Sequence, residues 1–393
     1  MSPFLQLAFV LAVILFCAKI ASYISSRLGQ PSVLGELLVG ILLGPSLINL
    51  THLNFITDVH LTEIVNEIGE IGVLILMFIA GLELHLSELA RNTRVSAYAG
   101  ILGVLAPVGL GVVAGVVLGL DVAHSVFLGL TLGATSVSIS AQTLMELNVI
   151  RSRVGVGLLG AAVFDDILVI LLLSSFLALQ AGDGNGFVEI SIVFGKMLLF
   201  LAISLAFGLW VLPKLTKRIA RLTISQGNIT LAIVILLFYG IGAEIIGGMA
   251  AITGTFIAGL MFARTQQKNE IQNGLRSLAY GFFIPIFFVT IGLGIDLHEL
   301  NVHALWALLL ISIIAVLGKV LGAGLGARLG RFSWRESLQL GIGLDLGYLN
   351  NEFFSTIVGM VLITTLVTPP MLRSAFSMPK PQKSAEQTMS NHS

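Results

Sequence analysis

The chain has 393 residues, of which 56% are hydrophobic and 11% are charged, and its formal net charge is zero. Soluble domains carry about 25% charged residues, so this composition excludes a soluble globular protein and indicates a polytopic membrane protein. The neutral balance argues against nucleic acid as a partner. The single cysteine, Cys17, excludes an intrachain disulfide.

Apolar segments of spanning length follow one another almost without long loops, and we predict about thirteen transmembrane helices. The first segment lacks the basic start and cleavage site of a signal peptide, so we interpret it as a retained helix. The polar remainder, residues 377–393, is predicted to be a disordered cytoplasmic tail. The predicted spans are residues 4–26, 31–50, 67–86, 96–119, 122–147, 152–180, 188–212, 226–244, 247–264, 277–296, 303–327, 335–349 and 353–374.

Basic loop residues are confined to every second predicted loop and to the tail, and this alternation supports the helix count. By the positive-inside rule these segments face the cytoplasm, so the N-terminus is predicted to lie outside and the C-terminus inside. The residues concerned are Arg27, Arg91, Arg94, Arg151, Arg153, Lys214, Lys217, Arg218, Arg221, Arg264, Lys268, Arg276, Arg328, Arg331, Arg335, Arg373, Lys380 and Lys383.

The two halves of the chain contain similar segments. Residues 81–89 (GLELHLSEL) resemble residues 292–300 (GLGIDLHEL), and residues 33–40 (VLGELLVG) resemble residues 252–259 (ITGTFIAG). The members of each pair are an odd number of predicted helices apart, so the copies cross the membrane in opposite directions. Inverted repeats are typical of secondary transporters, whose binding sites lie near the middle of the bilayer. Chance similarity between glycine-rich apolar segments is the weaker interpretation.

The repeat pairs the predicted fifth helix with the twelfth, and both contain residues that weaken a helix. The fifth carries residues 131–142 (TLGATSVSISAQ), and the twelfth carries residues 340–347 (LGIGLDLG). Non-helical backbone at this depth occurs where it is packed in protein or lines a wet cavity. We therefore predict two broken crossing helices whose inner ends point at a central site.

Two adjacent aspartates, Asp165 and Asp166, lie inside the apolar sixth span. A charge at mid-bilayer costs about 3 kcal/mol, so such residues are rare and usually functional. Adjacent side chains on a helix point about 100° apart. We expect one aspartate to face an ion cavity and the other to face a cation on a neighbouring helix, for which Lys319 in the eleventh span is the best candidate.

A buried carboxylate can hold a proton or a small cation but not both, and this competition is sufficient for cation/proton exchange. Na⁺ or Li⁺ takes oxygen ligands from carboxylates, hydroxyls and free carbonyls. The chain is therefore expected to be a transporter rather than an enzyme, with transported ions and H⁺ in place of a cofactor. The alternative is a structural role for the aspartates, as helix caps or in a static ion pair.

Other acidic residues within predicted spans are weaker candidates for the ion site. Glu36 is expected to bind exposed backbone in the first turn of the second helix. The remaining ones, placed near interfaces or in the twelfth helix, are Glu67, Glu70, Glu244 and Asp345.

Residues 164–167 (FDDI), with residues 135–137 (TSV) before them and Lys319 after them, resemble the monovalent cation:proton antiporter-2 family. The similarity is greatest to the bacterial sodium/proton antiporters of the NapA type. Residues 29–45 (GQPSVLGELLVGILLGP) and 364–370 (TTLVTPP) are similar to that family's second and last helices.

This resemblance covers residues 4–376 and implies a sodium/proton antiporter-like fold for a membrane domain of residues 1–376. It implies a homodimer in a bacterial inner membrane, whose partners are monovalent cations, protons and the lipid bilayer. The implied dimerisation helices are residues 4–86 and 226–296, the mobile core is residues 96–180 and 303–374, and the link is residues 188–212.

The resemblance also implies a role for individual residues. Asp166 matches the acid that carries Na⁺ and the proton, and Asp165 matches the acid that pairs with the core lysine, here Lys319, and completes the Na⁺ site. Thr135 and Ser136 match the break of the first crossing helix.

The predicted twelfth helix departs from the family pattern because a Pro-Arg-Gly-Glu stretch and further residues are missing after residue 343. Residues 337–349 extend over about 20 Å as a helix, against about 30 Å of hydrocarbon. The sequence predicts exchange of Na⁺ or Li⁺ for H⁺. A K⁺/H⁺ antiporter, a cation channel and a transport-impaired relative are the alternatives. An intramembrane aspartyl protease is disfavoured, because the adjacent Asp165 and Asp166 cannot face each other.

Overall fold

The computed structural model of the chain describes residues 1–134, 137–181, 186–222, 224–296, 298 and 302–344. The regular elements of these residues are all helices. Nine of the described segments are long and apolar enough to cross a membrane, and two shorter apolar helices, Ser32–Leu43 and Ala251–Phe262, accompany them. The prediction of an all-α polytopic membrane protein is confirmed. The count of about thirteen stays a prediction, because the last predicted span lies outside the described residues.

The described helices are numbered in chain order. They are α1 (Pro3–Arg27), α2 (Ser32–Leu43), α3 (Leu61–Glu83), α4 (Leu86–Val117), α5 (Val122–Gly133), α6 (Val137–Glu146), α7 (Arg153–Ala181), α8 (Gly186–Ala206), α9 (Leu212–Ile219), α10 (Gly227–Ile245), α11 (Ala251–Phe262), α12 (Lys268–Leu278), α13 (Ile284–Leu293), α14 (Val302–Leu329) and α15 (Trp334–Gly343). Short π-helical turns at Phe207–Val211 and Ala279–Phe283 join α8 to α9 and α12 to α13.

The largest difference from the predicted boundaries is at α4, which begins at Leu86 rather than near residue 96. Its 32 residues extend over about 48 Å, longer than the hydrocarbon core of about 30 Å. Arg91 and Arg94, predicted as loop residues, therefore lie within the first turns of the helix. The predicted span, which was based on hydropathy, begins only after these two charges, although arginine is a good helix former.

The helices pack in two groups. In the first, which we call the core group, α4 packs along α5, α7 and α14, and α15 packs against α14 and α7. In the second, the scaffold group, α3 packs against α11 and α13, α2 against α1 and α13, and α10 against α11. The half-helix α6 contacts α7 of the core group and also α2 and α3 of the scaffold group. In the described chain the two groups thus meet at α6.

Glycines on one face of α14 bring its backbone against α4. A methyl group added at Gly318 would lie 2.8 Å from Pro107 Cα, and one at Gly322 or Gly326 would overlap a backbone oxygen of α4. Small residues at such spacing allow two helices to approach closely within a membrane. This contact fixes the position of the residue that follows Gly318, which is Lys319.

Candidate functional site

The two aspartates of α7 point to different neighbours. The Asp165 side chain faces α14, where its Oδ2 lies 3.2 Å and its Oδ1 3.3 Å from Lys319 Nζ. Both partners are buried, with 1% of Asp165 and 2% of Lys319 exposed. A buried charge is tolerated when it is paired and hydrogen-bonded, so each of these residues depends on the other.

Lys319 also joins the ion pair to the break in the first crossing helix. Its Nζ donates to the carbonyl oxygen of Gly133, at 2.5 Å, and Gly133 is the last residue of α5. Ala134 then takes an extended conformation, with φ −66° and ψ 146°, before α6 begins at Val137. Carbonyls at a helix C-terminus lack intrahelical donors and carry partial negative charge, so an ammonium group is a favourable partner there.

Asp166 faces the boundary between the two helix groups. Its Oδ2 accepts a hydrogen bond from Thr253 Oγ1 of α11. The two side chains line a narrow cleft that is partly open to the outside. The other residues that line it are apolar, namely Met77, Val137, Leu159, Ala162, Val163, Ile252 and Phe256. The Asp166 carboxylate and the Thr253 hydroxyl provide the side-chain oxygens among the lining residues, and such oxygens are of the kind that Na⁺ and Li⁺ bind.

The structure brings only some of the predicted site residues together. Asp165, Asp166 and Lys319 form the cluster described above. Thr135, Ser136 and Asp345 lie outside the described residues. Among the weaker candidates, Glu67, Glu70 and Glu244 are exposed on the surface of the helices.

The predicted hydrogen-bond partner of Glu36 is wrong. Its carboxylate accepts from Ser22 Oγ of α1 at 2.8 Å, rather than from backbone in the first turn of α2. The first turn of α2 binds Glu146 instead: the amide of Ser32 donates to Glu146 Oε2 at 2.7 Å. Glu146 ends α6, so it reaches the open N-terminus of α2 from outside that helix, where an acidic side chain is favoured.

A second cluster that the sequence analysis missed surrounds Glu83, at the end of α3. Arg151 Nη2 lies 2.5 Å from one carboxylate oxygen, and Arg276 Nη2 lies 3.1 Å from the other. Gln272 Nε2 donates to the second oxygen as well. Only 8% of the Glu83 side chain is exposed, against 56% of Arg151 and 45% of Arg276. The signal in the sequence was Glu83 itself, a charge inside a repeated segment next to an apolar helix.

Comparisons with known proteins find sequence relatives along nearly the whole chain. The profile of the family described as sodium/hydrogen exchanger, transmembrane, matches residues 12–377. The Na⁺/H⁺-K⁺ antiporter GerN of Bacillus cereus is 36% identical over 94% of this chain and 96% of its own length. The probable Na⁺/H⁺ antiporter GerT of the same organism is 39% identical over 94% of this chain and 99% of its own.

A solved structure extends the likeness to the fold. The sodium proton antiporter MjNhaP1 of Methanocaldococcus jannaschii is 18% identical, with a TM-score of 0.61 over 96% of this chain and 94% of that one. At this level of identity the likeness concerns the path of the helices and not the individual site residues.

Proposed function

The chain belongs to the sodium/hydrogen exchanger family, and on that premise we propose that it exchanges Na⁺ or Li⁺ for H⁺ across a membrane, with Asp166 as the carrier of both ions. The resemblance read from residues 164–167 led to the same family. The observation that carries the proposal is the position of Asp166, in a cleft where the core and scaffold groups meet.

Competition at one carboxylate couples the two ions. When Asp166 is ionised its oxygens can bind a cation, and when it is protonated the cation has lost its main charged ligand. The apolar walls of the cleft strengthen this competition, because a bare cation in low dielectric needs a nearby negative charge. One proton is then released for each cation bound at this residue.

We assign Asp165 and Lys319 a supporting role in the same site. Their ion pair keeps a second carboxylate beside Asp166. The hydrogen bond from Lys319 to the carbonyl oxygen of Gly133 connects the pair to the broken helix. Thr135 and Ser136 belong to the proposal as ligands at the break, on the basis of the family pattern alone.

Alternating access follows from movement of one group of helices past the other. We propose residues 96–180 and 303–374 as the moving core, residues 4–86 and 226–296 as the fixed dimerisation part, and residues 188–212 as the link. The packing of the described helices into a core group and a scaffold group supports this division. Asp166 stands on α7 of the core group and faces α11 of the scaffold group. A sliding of α7 against α11 therefore changes the side from which Asp166 is reached.

The placement in the cell is part of the proposal. The multi-pass chain lies in the bacterial inner membrane as a homodimer, with the N-terminus outside and the C-terminus in the cytoplasm. The family resemblance supports the dimer and the membrane, and the alternation of basic loops supports the orientation.

K⁺/H⁺ exchange is a second candidate. The name of GerN, which is 36% identical to this chain, includes K⁺ beside Na⁺ and H⁺. A carboxylate and a hydroxyl bind either cation, so the choice depends on the size of the site when it is occupied.

The test is cation-induced proton movement in proteoliposomes that contain the purified chain. We expect a saturable response to Na⁺ and Li⁺ that is lost in Asp166→Asn, and K⁺ is measured in parallel. The matched control is Asp121→Asn, because Asp121 is exposed in the α4–α5 connection. Saturable exchange in Asp166→Asn, or no response to any of the three cations from a folded wild type, would contradict the proposal.

A further inference from the structure

Thr253 uses its hydroxyl in an unusual way for a threonine in a helix. Helical threonines commonly donate to a carbonyl oxygen of the preceding turn. Thr255, on the same helix α11, does so: its Oγ1 donates to the carbonyl of Ile252 at 2.9 Å. Thr253 is also buried, with 3% of its surface exposed, yet it donates across the cleft to Asp166.

The two partners belong to different groups of helices. Thr253 stands near the start of α11 in the scaffold group, and Asp166 stands in the middle of α7 in the core group. Among the cleft-lining residues that the structure describes, Thr253 is the one side chain that donates a hydrogen bond to Asp166. The carrier carboxylate thus receives its donor from outside its own helix group.

From this contact we propose that Thr253 is a positioning residue of the cation site, whose hydroxyl holds the Asp166 carboxylate in its ionised form and so favours the cation over the proton. The inference rests on the proposed function of Asp166. Hydrogen bonds donated to a carboxylate stabilise the charged form, and they are worth more in surroundings of low dielectric.

The charged groups near Asp166 do not outweigh the influence of the Thr253 hydroxyl on its ionisation. Asp165 and Lys319 are the neighbouring charges, and they form a pair at 3.2 Å whose charges offset each other. The cleft walls, contributed by α3, α6, α7 and α11, are otherwise uncharged in the described residues. One donor hydroxyl therefore has a large share in deciding whether Asp166 is ionised.

The experiment compares three variants in proteoliposomes over a series of pH values from mildly acidic to alkaline. Thr253→Val removes the hydroxyl and keeps the shape, Thr253→Ser keeps the hydroxyl, and Thr255→Val removes a hydroxyl that serves its own helix. For Thr253→Val we expect the half-saturating Na⁺ concentration at neutral pH to rise about tenfold. A rise of this size corresponds to the loss of one hydrogen bond to a charged group. The difference from wild type should close at alkaline pH, where Asp166 ionises without help.

Thr253→Ser should restore the wild-type pH profile, and Thr255→Val should not change it. A merely structural role would lower the yield or thermal stability of the protein without a rise in half-saturation that depends on pH. If Thr253→Val cannot be purified folded, Thr253→Ala is measured in the same way.

Two results would overturn the inference. One is a wild-type half-saturating Na⁺ concentration in Thr253→Val at neutral pH, and the other is a rise that stays the same at alkaline pH. Either of these, with an active wild type and an inactive Asp166→Asn, leaves the proposed function intact. A folded wild type without cation-dependent proton movement would overturn both.

Discussion

Lys319 Nζ lies 2.5 Å from the carbonyl oxygen of Gly133, while the same ammonium group lies 3.2 Å from Asp165 Oδ2. One buried cation thereby connects α14 with the end of α5 and the middle of α7. Each partner is a group that is costly to bury alone: a carboxylate in one case, and a helix C-terminus with unpaired carbonyls in the other. The lysine consequently links the chemistry of the aspartates to the integrity of the broken helix.

Replacement of Lys319 by alanine should destabilise the protein strongly. The change removes the ammonium group that donates to a buried carboxylate and to a buried helix end, and removal of one member of a buried ion pair costs about 3–5 kcal/mol. The measurement is the thermal unfolding midpoint of the purified protein in detergent. Lys196→Ala is the matched control, because Lys196 is an exposed lysine on the apolar helix α8. Equal midpoints for Lys319→Ala and wild type would remove the lysine from this structural role.

The ion pair was predictable from the sequence, whereas Thr253 was not. Charges inside an apolar span are so costly that Asp165, Asp166 and Lys319 single themselves out. A threonine in such a span is common, and Thr255 looks the same in the sequence although its hydroxyl is used differently. Only the crossing of α7 and α11 shows which hydroxyl meets the carboxylate, and that crossing depends on packing between residues far apart in the chain.

Helix positions were predicted better than helix ends. The glycine and hydroxyl residues of residues 131–142 indicated a break, and α5 and α6 are separated there. The start of α4 was missed because hydropathy measures where a helix leaves the lipid, not where its hydrogen bonds begin. The Glu83 cluster was missed for a related reason: Arg151 and Arg276 were counted as loop charges, and their shared partner is a tertiary contact.

The crossing of α3 and α11 should tolerate no side chain at its two glycines. A methyl group added at Gly81 would overlap the carbonyl oxygen of Phe256, and one at Gly259 would overlap that of Phe78. We expect Gly81→Ala and Gly259→Ala each to cost about 1–3 kcal/mol, as overpacked sites do. Because α11 carries Thr253, exchange activity should fall as well.

The measurement for these glycine variants is thermal unfolding together with cation-dependent proton movement. Gly195→Ala on α8 is the control, since a methyl group there meets no atom within 4 Å. It should leave the unfolding midpoint unchanged or raise it, because alanine favours a helix over glycine by about 1 kcal/mol. A loss in the control as large as that in Gly81→Ala would show that close packing is not the cause.

The cluster around Glu83 should stabilise the protein in a manner that depends on salt. Glu83→Gln removes the charge that two arginines and Gln272 share, and hydrogen bonds to charged groups are worth about 1.5–3 kcal/mol. Since Arg151 and Arg276 are about half exposed, added salt should reduce the difference between the variant and wild type. Thermal unfolding at low and high ionic strength measures both effects.

Glu63→Gln provides the comparison within the same helix. Glu63 forms an ion pair with His60 in which both side chains are about 70% exposed, so its loss should change the unfolding midpoint little. If Glu83→Gln behaves like Glu63→Gln at low salt, the cluster contributes nothing to stability and the arginines serve another purpose.

The orientation in the membrane can be read from cysteine labelling. Because Cys17 is the single cysteine, Cys17→Ser gives a background without thiols. Asp121→Cys places a thiol in the exposed α4–α5 connection, which has no basic residue, and Gln266→Cys places one beside Arg264 and Lys268. By the positive-inside rule, a membrane-impermeant maleimide added to intact cells should label Asp121→Cys and not Gln266→Cys. Permeabilised cells should show both labels. The reverse pattern in intact cells would place the basic connections outside and invert the proposed topology.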